Sequence, residues 1–134
     1  MRFDGIEDVV LSGAAALNAT GDQFDNVLLG NAGANILDGR GGVDTLVGEG
    51  GNDTYIVDDT GDQVAEGANA GVDLVQSAVN FVLPENVENL TLTGIVNLQG
   101  TGNALANKIT GNDGSNVLDG AGGGDTMEIG RAHV

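Results

Sequence analysis

The chain runs to 134 residues and carries 20 acidic side chains against 4 basic ones, for a formal charge of −16. That balance leaves no Lys/Arg footprint for nucleic acid or an anionic membrane surface, and it makes cations the natural counterpart. With 24 glycines, one proline and no cysteine, disulfides, thiolate metal sites and cysteine nucleophiles are excluded as well.

In chain order, residues 1–20 read as a strand-bearing partial repeat around Ile6-Glu-Asp-Val-Val-Leu11-Ser-Gly13. Ala14-Ala-Ala-Leu17 is the one helix-friendly run, and it is too short and too near glycine to predict a helix. Residues 21–75 read as a roll of nonapeptides. Its two clearest copies are Gly39-Arg-Gly-Gly42-Val-Asp44-Thr-Leu46-Val and Gly48-Glu-Gly-Gly51-Asn-Asp53-Thr-Tyr55-Ile, joined without a gap. Each offers a glycine-rich turn, a carboxylate at its sixth position and a large apolar residue at its eighth. Two upstream copies keep the register with asparagine at the sixth position, Asn26 before Leu28 and Asn35 before Leu37. Downstream, Asp62 precedes Val64, and a loop longer by two residues leads to Asp73 and Val75. Leu28, Leu37, Leu46, Tyr55, Val64 and Val75 are therefore predicted to form one core series.

Residues 76–101 read as a strand-bearing connector. Val75 to Leu83 alternates and predicts a single strand stopped by Pro84. Asn89 to Thr93 predicts another, with Leu90 and Leu92 on one face. Residues 102–127 are a second, truncated roll, because a shift of 81 residues lays Gly30 to Gly39 on Gly111 to Gly120 without gaps. A fixed long period marks a repeat array. Both ends fall in mid-repeat, so a fragment with neighbouring repeats is expected. Residues 128–134 break the register and are read as a non-native tail, in which Arg131 and His133 carry no functional weight.

One large apolar side chain per nine residues cannot by itself offset the entropy of ordering so much glycine. Stacking can. A loop and three strand residues, taken twice, make one coil of a flattened parallel solenoid. The sixth position then recurs on the same edge one coil later, which sets Asp44 beside Asp62 and Asp53 beside Asp73. At a coil spacing of about 4.8 Å, such carboxylates repel by a few kcal/mol at an effective dielectric of about 20. A divalent cation between the coils reverses the sign, and carboxylate and carbonyl oxygens on flexible loops suit Ca2+. The predicted fold class is all-β, a parallel β-roll or β-solenoid.

Residues Gly39 to Ile56 resemble the Gly-Gly-x-Gly-x-Asp-x-apolar-x repeat of the RTX, or haemolysin-type calcium-binding, proteins. The resemblance implies a parallel β-roll, several Ca2+ ions between adjacent coils, and secretion by a type I system. Carried over by position, Asp44 with the Arg40 and Gly42 carbonyls would face Asp62 with those of Val57 and Asp59. Asn26 would face Gly39, Gly41 and Asp44. On the opposite edge Asn35 and Gly33 would face Gly48, Gly50 and Asp53, with Gly51 in the same loop and Asp73 one coil on. In the second copy Asn107 would face Gly120, Gly122 and Asp125.

The asparagines at 26, 35, 107 and 116 supply one oxygen and no charge. Loop 57–62 lacks the glycines and loop 66–73 is too long. Few strong sites are expected, centred on the Asp44 and Asp53 loops. Catalysis has little support, since the one histidine lies in the tail and the aspartates recur structurally. The expected role is a calcium-folded structural module of a secreted bacterial protein, not an enzyme. Two alternatives stay open, a calcium-independent β-solenoid stalk used for adhesion and the non-catalytic part of a secreted hydrolase.

Overall fold

A computed structural model describes residues 7–68 and 70–129. Only three or four residues separate one glycine-rich turn from the next, so every strand is short. In chain order they are β1 (Asp8–Val10), β2 (Ala19–Thr20), β3 (Val27–Leu29), β4 (Ile36–Asp38), β5 (Thr45–Val47), β6 (Thr54–Val57) and β7 (Gln63–Ala65). There follow β8 (Leu74–Ser77), β9 (Phe81–Val82), β10 (Asn89–Leu92), β11 (Gln99–Thr101), β12 (Lys108–Thr110), β13 (Val117–Asp119) and β14 (Thr126–Glu128). Among the described residues there is no helix, and Ala14 to Leu17 is irregular.

Even-numbered strands from β2 to β14 make one seven-stranded sheet, β1-β3-β5-β7 a second, and β9-β11-β13 a third. Every pairing is parallel, as a solenoid requires, because consecutive strands lie on opposite faces and each pairs one coil away. The apolar eighth positions stack in register. Leu28 pairs Leu46, which pairs Val64. Leu37 pairs Tyr55, which pairs Val75 and then Leu90 and Ile109. All of these are buried, most of them completely, and each contributes about 1.5–3 kcal/mol. The fold class is the one the periodicity dictates.

One expected element is different. Val75 to Leu83 is two strands, not one. Nine extended residues would reach about 30 Å, far beyond strands of three. The chain instead ends β8 at Ser77, whose Oγ donates to the Val79 carbonyl at 2.7 Å and accepts from the Val79 N–H at 3.2 Å. That local turn carries the chain round the corner to β9 on the opposite face. The odd-numbered face breaks here, between β7 and β9, leaving an open groove of about 460 Å³ whose walls include Val64, Phe81 and Pro84. Glu128 closes β14. Ile6 at the start of the partial repeat, and Arg131 and His133 of the tail, lie outside the described residues.

Candidate metal centre

Each sixth-position residue sits just ahead of a strand, and its side chain receives the backbone N–H of its counterpart one coil back. Asn26 donates to Asp44 Oδ1 and Asp44 to Asp62 Oδ1, both at 2.8 Å. On the other edge Asn35 donates to Asp53 Oδ1, Asp53 to Asp73 Oδ1 and Asp73 to Glu88 Oε2, again at 2.8 Å. Asn107 donates likewise to Asp125 Oδ1. The stacking therefore consumes one oxygen of each carboxylate. The second oxygen of Asp44, Asp53 and Asp73 is buried with no hydrogen-bond partner, although these residues are at most 1% exposed. A buried carboxylate oxygen without a partner is strongly unfavourable unless a cation meets it.

These oxygens converge in two groups. Asp44, Asp58 and Asp62 bring carboxylate oxygens within 4.8 Å of one another, and so do Asp53, Glu66 and Asp73. Burial, reinforced by the facing Asp62 and Asp73 carboxylates, pushes Asp44 and Asp53 up to about 6. Asp58, exposed at the edge of its group, is raised by partial desolvation and by the facing Asp62 carboxylate. Glu66 is pushed up to about 9 by burial first and Asp73 second. The donor set is all oxygen, anionic and partly carbonyl, which fits Ca2+.

The loops around these carboxylates are of two kinds. In the Gly-x-Gly-Gly-x-Asp loops, Arg40, Glu49 and Ala121 take φ of 66°, 73° and 59°, and Gly42, Gly51 and Gly123 take 87°, 87° and 85°. Left-handed residues at the second and fourth positions fold the backbone back around the aspartate. Gly39 and Gly48 are obligatory for a second reason, since an added Cβ would fall on the Oδ2 of Asp44 or Asp53. At Gly21, Gly30 and Gly102 a Cβ would meet both the asparagine oxygen of its own loop and a carbonyl of the next coil. The stacking thus brings Asn26 to the Gly39 carbonyl, Asn35 to that of Gly48, and Asn107 to that of Gly120. Gly41, Gly50 and Gly122 lie over Gln23, Ala32 and Ala104 of the coil behind, and the Gly33 carbonyl lies against Gly51. Asp59 turns its carboxylate to the Gly61 N–H and its carbonyl to the Asp62 N–H.

The asparagine loops are built otherwise. The Oδ1 of Asn26, Asn35, Asn107 and Asn116 accepts an N–H from the second residue of its own loop. That second residue, where it is asparagine, reaches across to the coil behind. Asn31 Nδ2 donates to the Ser12 and Ala15 carbonyls, Asn103 Nδ2 to those of Pro84 and Val87, and Asn112 Nδ2 to those of Thr93 and Val96. An amide here gathers converging carbonyls much as a cation would. Asn103→Ala is expected to lower stability by roughly 1–3 kcal/mol, because it strands two acceptors. Urea unfolding in saturating calcium should show the loss with the number of bound ions unchanged; loss of a bound ion would contradict the amide role.

Four contributions escaped the sequence reading. Asp58 and Glu66 lie in loops that depart from the nonapeptide pattern, and the Tyr55 hydroxyl belongs to a side chain read only as core. Glu88 continues the ladder because it directly precedes β10 as Asp53 precedes β6, a cue that the predicted strand over Asn89 to Thr93 already offered.

Residues 20–55 and 101–130 match the RTX calcium-binding nonapeptide repeat, in four copies. The chain carries RTX calcium-binding nonapeptide repeats. The RTX repeats bind Ca2+, and the two carboxylate groups have the spacing to hold a metal ion. Over 50 residues the RTX chain is 42% identical to endo-1,3-1,4-beta-glycanase EglC of Rhizobium meliloti (strain 1021), a stretch that is 37% of this chain and 10% of that protein. The similarity thus spans about a tenth of the glycanase's length. No solved structure matches the chain significantly. No helix among the described residues is long and apolar enough to cross a membrane.

Proposed function

We propose that this chain is a calcium-folded structural module of a secreted bacterial protein, and that its calcium sites lie between adjacent coils at Asp44, Asp58 and Asp62 and at Asp53 and Asp73. The observation that carries the reading is the set of buried, unpartnered Oδ2 atoms of Asp44, Asp53 and Asp73 on neighbouring coils. Flanking carbonyls of Gly39, Gly42, Gly48 and Gly51 complete the donor set, with Asn26, Asn35, Asn107 and Asp125 as weaker contributors. At the low calcium of a cytoplasm, a chain of charge −16 stays unfolded and exportable. Millimolar calcium outside neutralises the ladders and folds it, because metal binding energy at such sites is folding energy. The role is structural, with no catalysis assigned.

Circular dichroism during a calcium titration tests this. We expect a weak β signal in EGTA that rises cooperatively with calcium; a full β signal in EGTA, unchanged by calcium, would end the proposal. The similarity to the glycanase favours a second reading, in which the module is carried by a secreted polysaccharide-degrading enzyme. Sequencing the contiguous gene decides it, since an adjoining glycanase domain is required.

A further inference from the structure

We infer that the cation site at Asp53 and Asp73, between the coils of β6 and β8, takes two further ligands, the Glu66 carboxylate from the irregular loop and the Tyr55 hydroxyl from the core. This rests on the calcium reading above and extends it to ligands outside the nonapeptide pattern.

Asp53 and Asp73 are 20 residues apart, two more than the regular coil separating Asp44 from Asp62. The longer loop departs from glycine-aspartate chemistry, and it brings Glu66 inward. Both Glu66 carboxylate oxygens are buried with no hydrogen-bond partner, as are the free oxygens of Asp53 and Asp73. The three carboxylates approach within 4.8 Å of one another.

A cluster of acids alone would say little. Tyr55 supplies the independent observation. It is completely buried, and its hydroxyl lies against the Glu66 carboxylate without an aligned hydrogen bond, whereas a buried tyrosine hydroxyl ordinarily makes one. A Cβ placed on Gly48 would strike both Tyr55 Oη and Asp53 Oδ2, so the two atoms lie together over that glycine. The hydroxyl therefore points into the carboxylate group from the core side. Among the described residues the one basic partner of a carboxylate is Lys108, paired with Glu128 at 3.8 Å on the surface, far along the chain from this site. Three carboxylates and a phenol oxygen make a hard, oxygen-only set of high charge, which favours Ca2+ and its lanthanide substitutes.

The chain has one tyrosine and no tryptophan, which makes the site spectroscopically addressable. Terbium(III) titrated into the full chain, with emission read under tyrosine excitation, is expected to give sensitised luminescence that calcium displaces. Glu66→Gln should raise the terbium and calcium midpoints of that signal by at least about tenfold, since ligand charge sets the affinity of such sites. Glu85→Gln, an exposed carboxylate elsewhere, should change neither. If calcium folds the chain but terbium stays silent, or Glu66→Gln leaves the midpoint unmoved, the cluster shares protons instead of holding an ion and the inference falls. If neither calcium nor terbium affects the chain at all, the broader calcium reading falls with it.

Discussion

Replacing Asp44 and Asp53 together by asparagine is expected to change stability in opposite directions with and without calcium. Without calcium, each neutralisation removes a carboxylate facing Asp62 or Asp73. At a coil spacing of about 4.8 Å and an effective dielectric of about 20, that repulsion is about 3 kcal/mol per pair. The asparagine oxygen still accepts the Asn26 or Asn35 N–H that the aspartate Oδ1 now accepts. Its amide can then donate to the coil behind, as Asn35 does to Leu17 and Asn107 to Glu88. The calcium-free double variant should therefore be several kcal/mol more stable than the parent. With calcium the order reverses, because the ions lose their central ligands. At a thousandfold excess over the dissociation constant, linkage contributes about 4 kcal/mol per site to the parent. Circular dichroism in EGTA, where the parent is largely unfolded and the variant should regain β signal, and urea unfolding in calcium measure the two arms; a variant with no gain in EGTA and a loss in calcium no larger than a packing defect would show that these aspartates are packing residues only.

Lowering the pH should stabilise the calcium-free fold. Asp44 and Asp53 rise from 3.8 to about 6 on folding, and Glu66 from 4.5 to about 9. A raised carboxyl means that the folded state holds more protons than the unfolded one across that interval, so stability falls as pH rises through it. For the two aspartates the penalty is absent below about 3.8, grows through the interval and is complete above about 6. Each contributes about 3 kcal/mol at 1.36 kcal/mol per unit. Glu66 extends the slope towards pH 9. In saturating calcium the trend inverts, since ion and proton compete for the same oxygens and acid expels the metal. Between pH 4 and 8 the β signal in EGTA should fall as pH rises, while the denaturation midpoint in saturating calcium should climb. A calcium-free curve that climbs with pH would mean that the carboxylates are solvated, not buried between coils.

The sequence by itself determined the repeat unit, and through it the fold class. A large apolar residue at every eighth position can be buried only by stacking, and the stacked pairs Leu46 with Val64 and Tyr55 with Val75 follow directly. The pairing of Asp44 with Asp62 and of Asp53 with Asp73 was equally legible, because position within a coil is a matter of counting. Counting fails where the period fails. Glu66 and Glu88 sit in loops of irregular length, and Asp58 in a loop of regular length without the repeat's glycines, so only the closed backbone decides which of these carboxylates meet the ladder. Val75 to Leu83 misled for the same reason: alternation reports which face a residue takes, not where a coil must bend. The asparagine loops show the limit most clearly. From sequence, Asn31 and Asn103 are unremarkable neighbours of glycine. Only the coil behind them supplies the converging carbonyls that turn an amide into a cross-link where other loops place an aspartate.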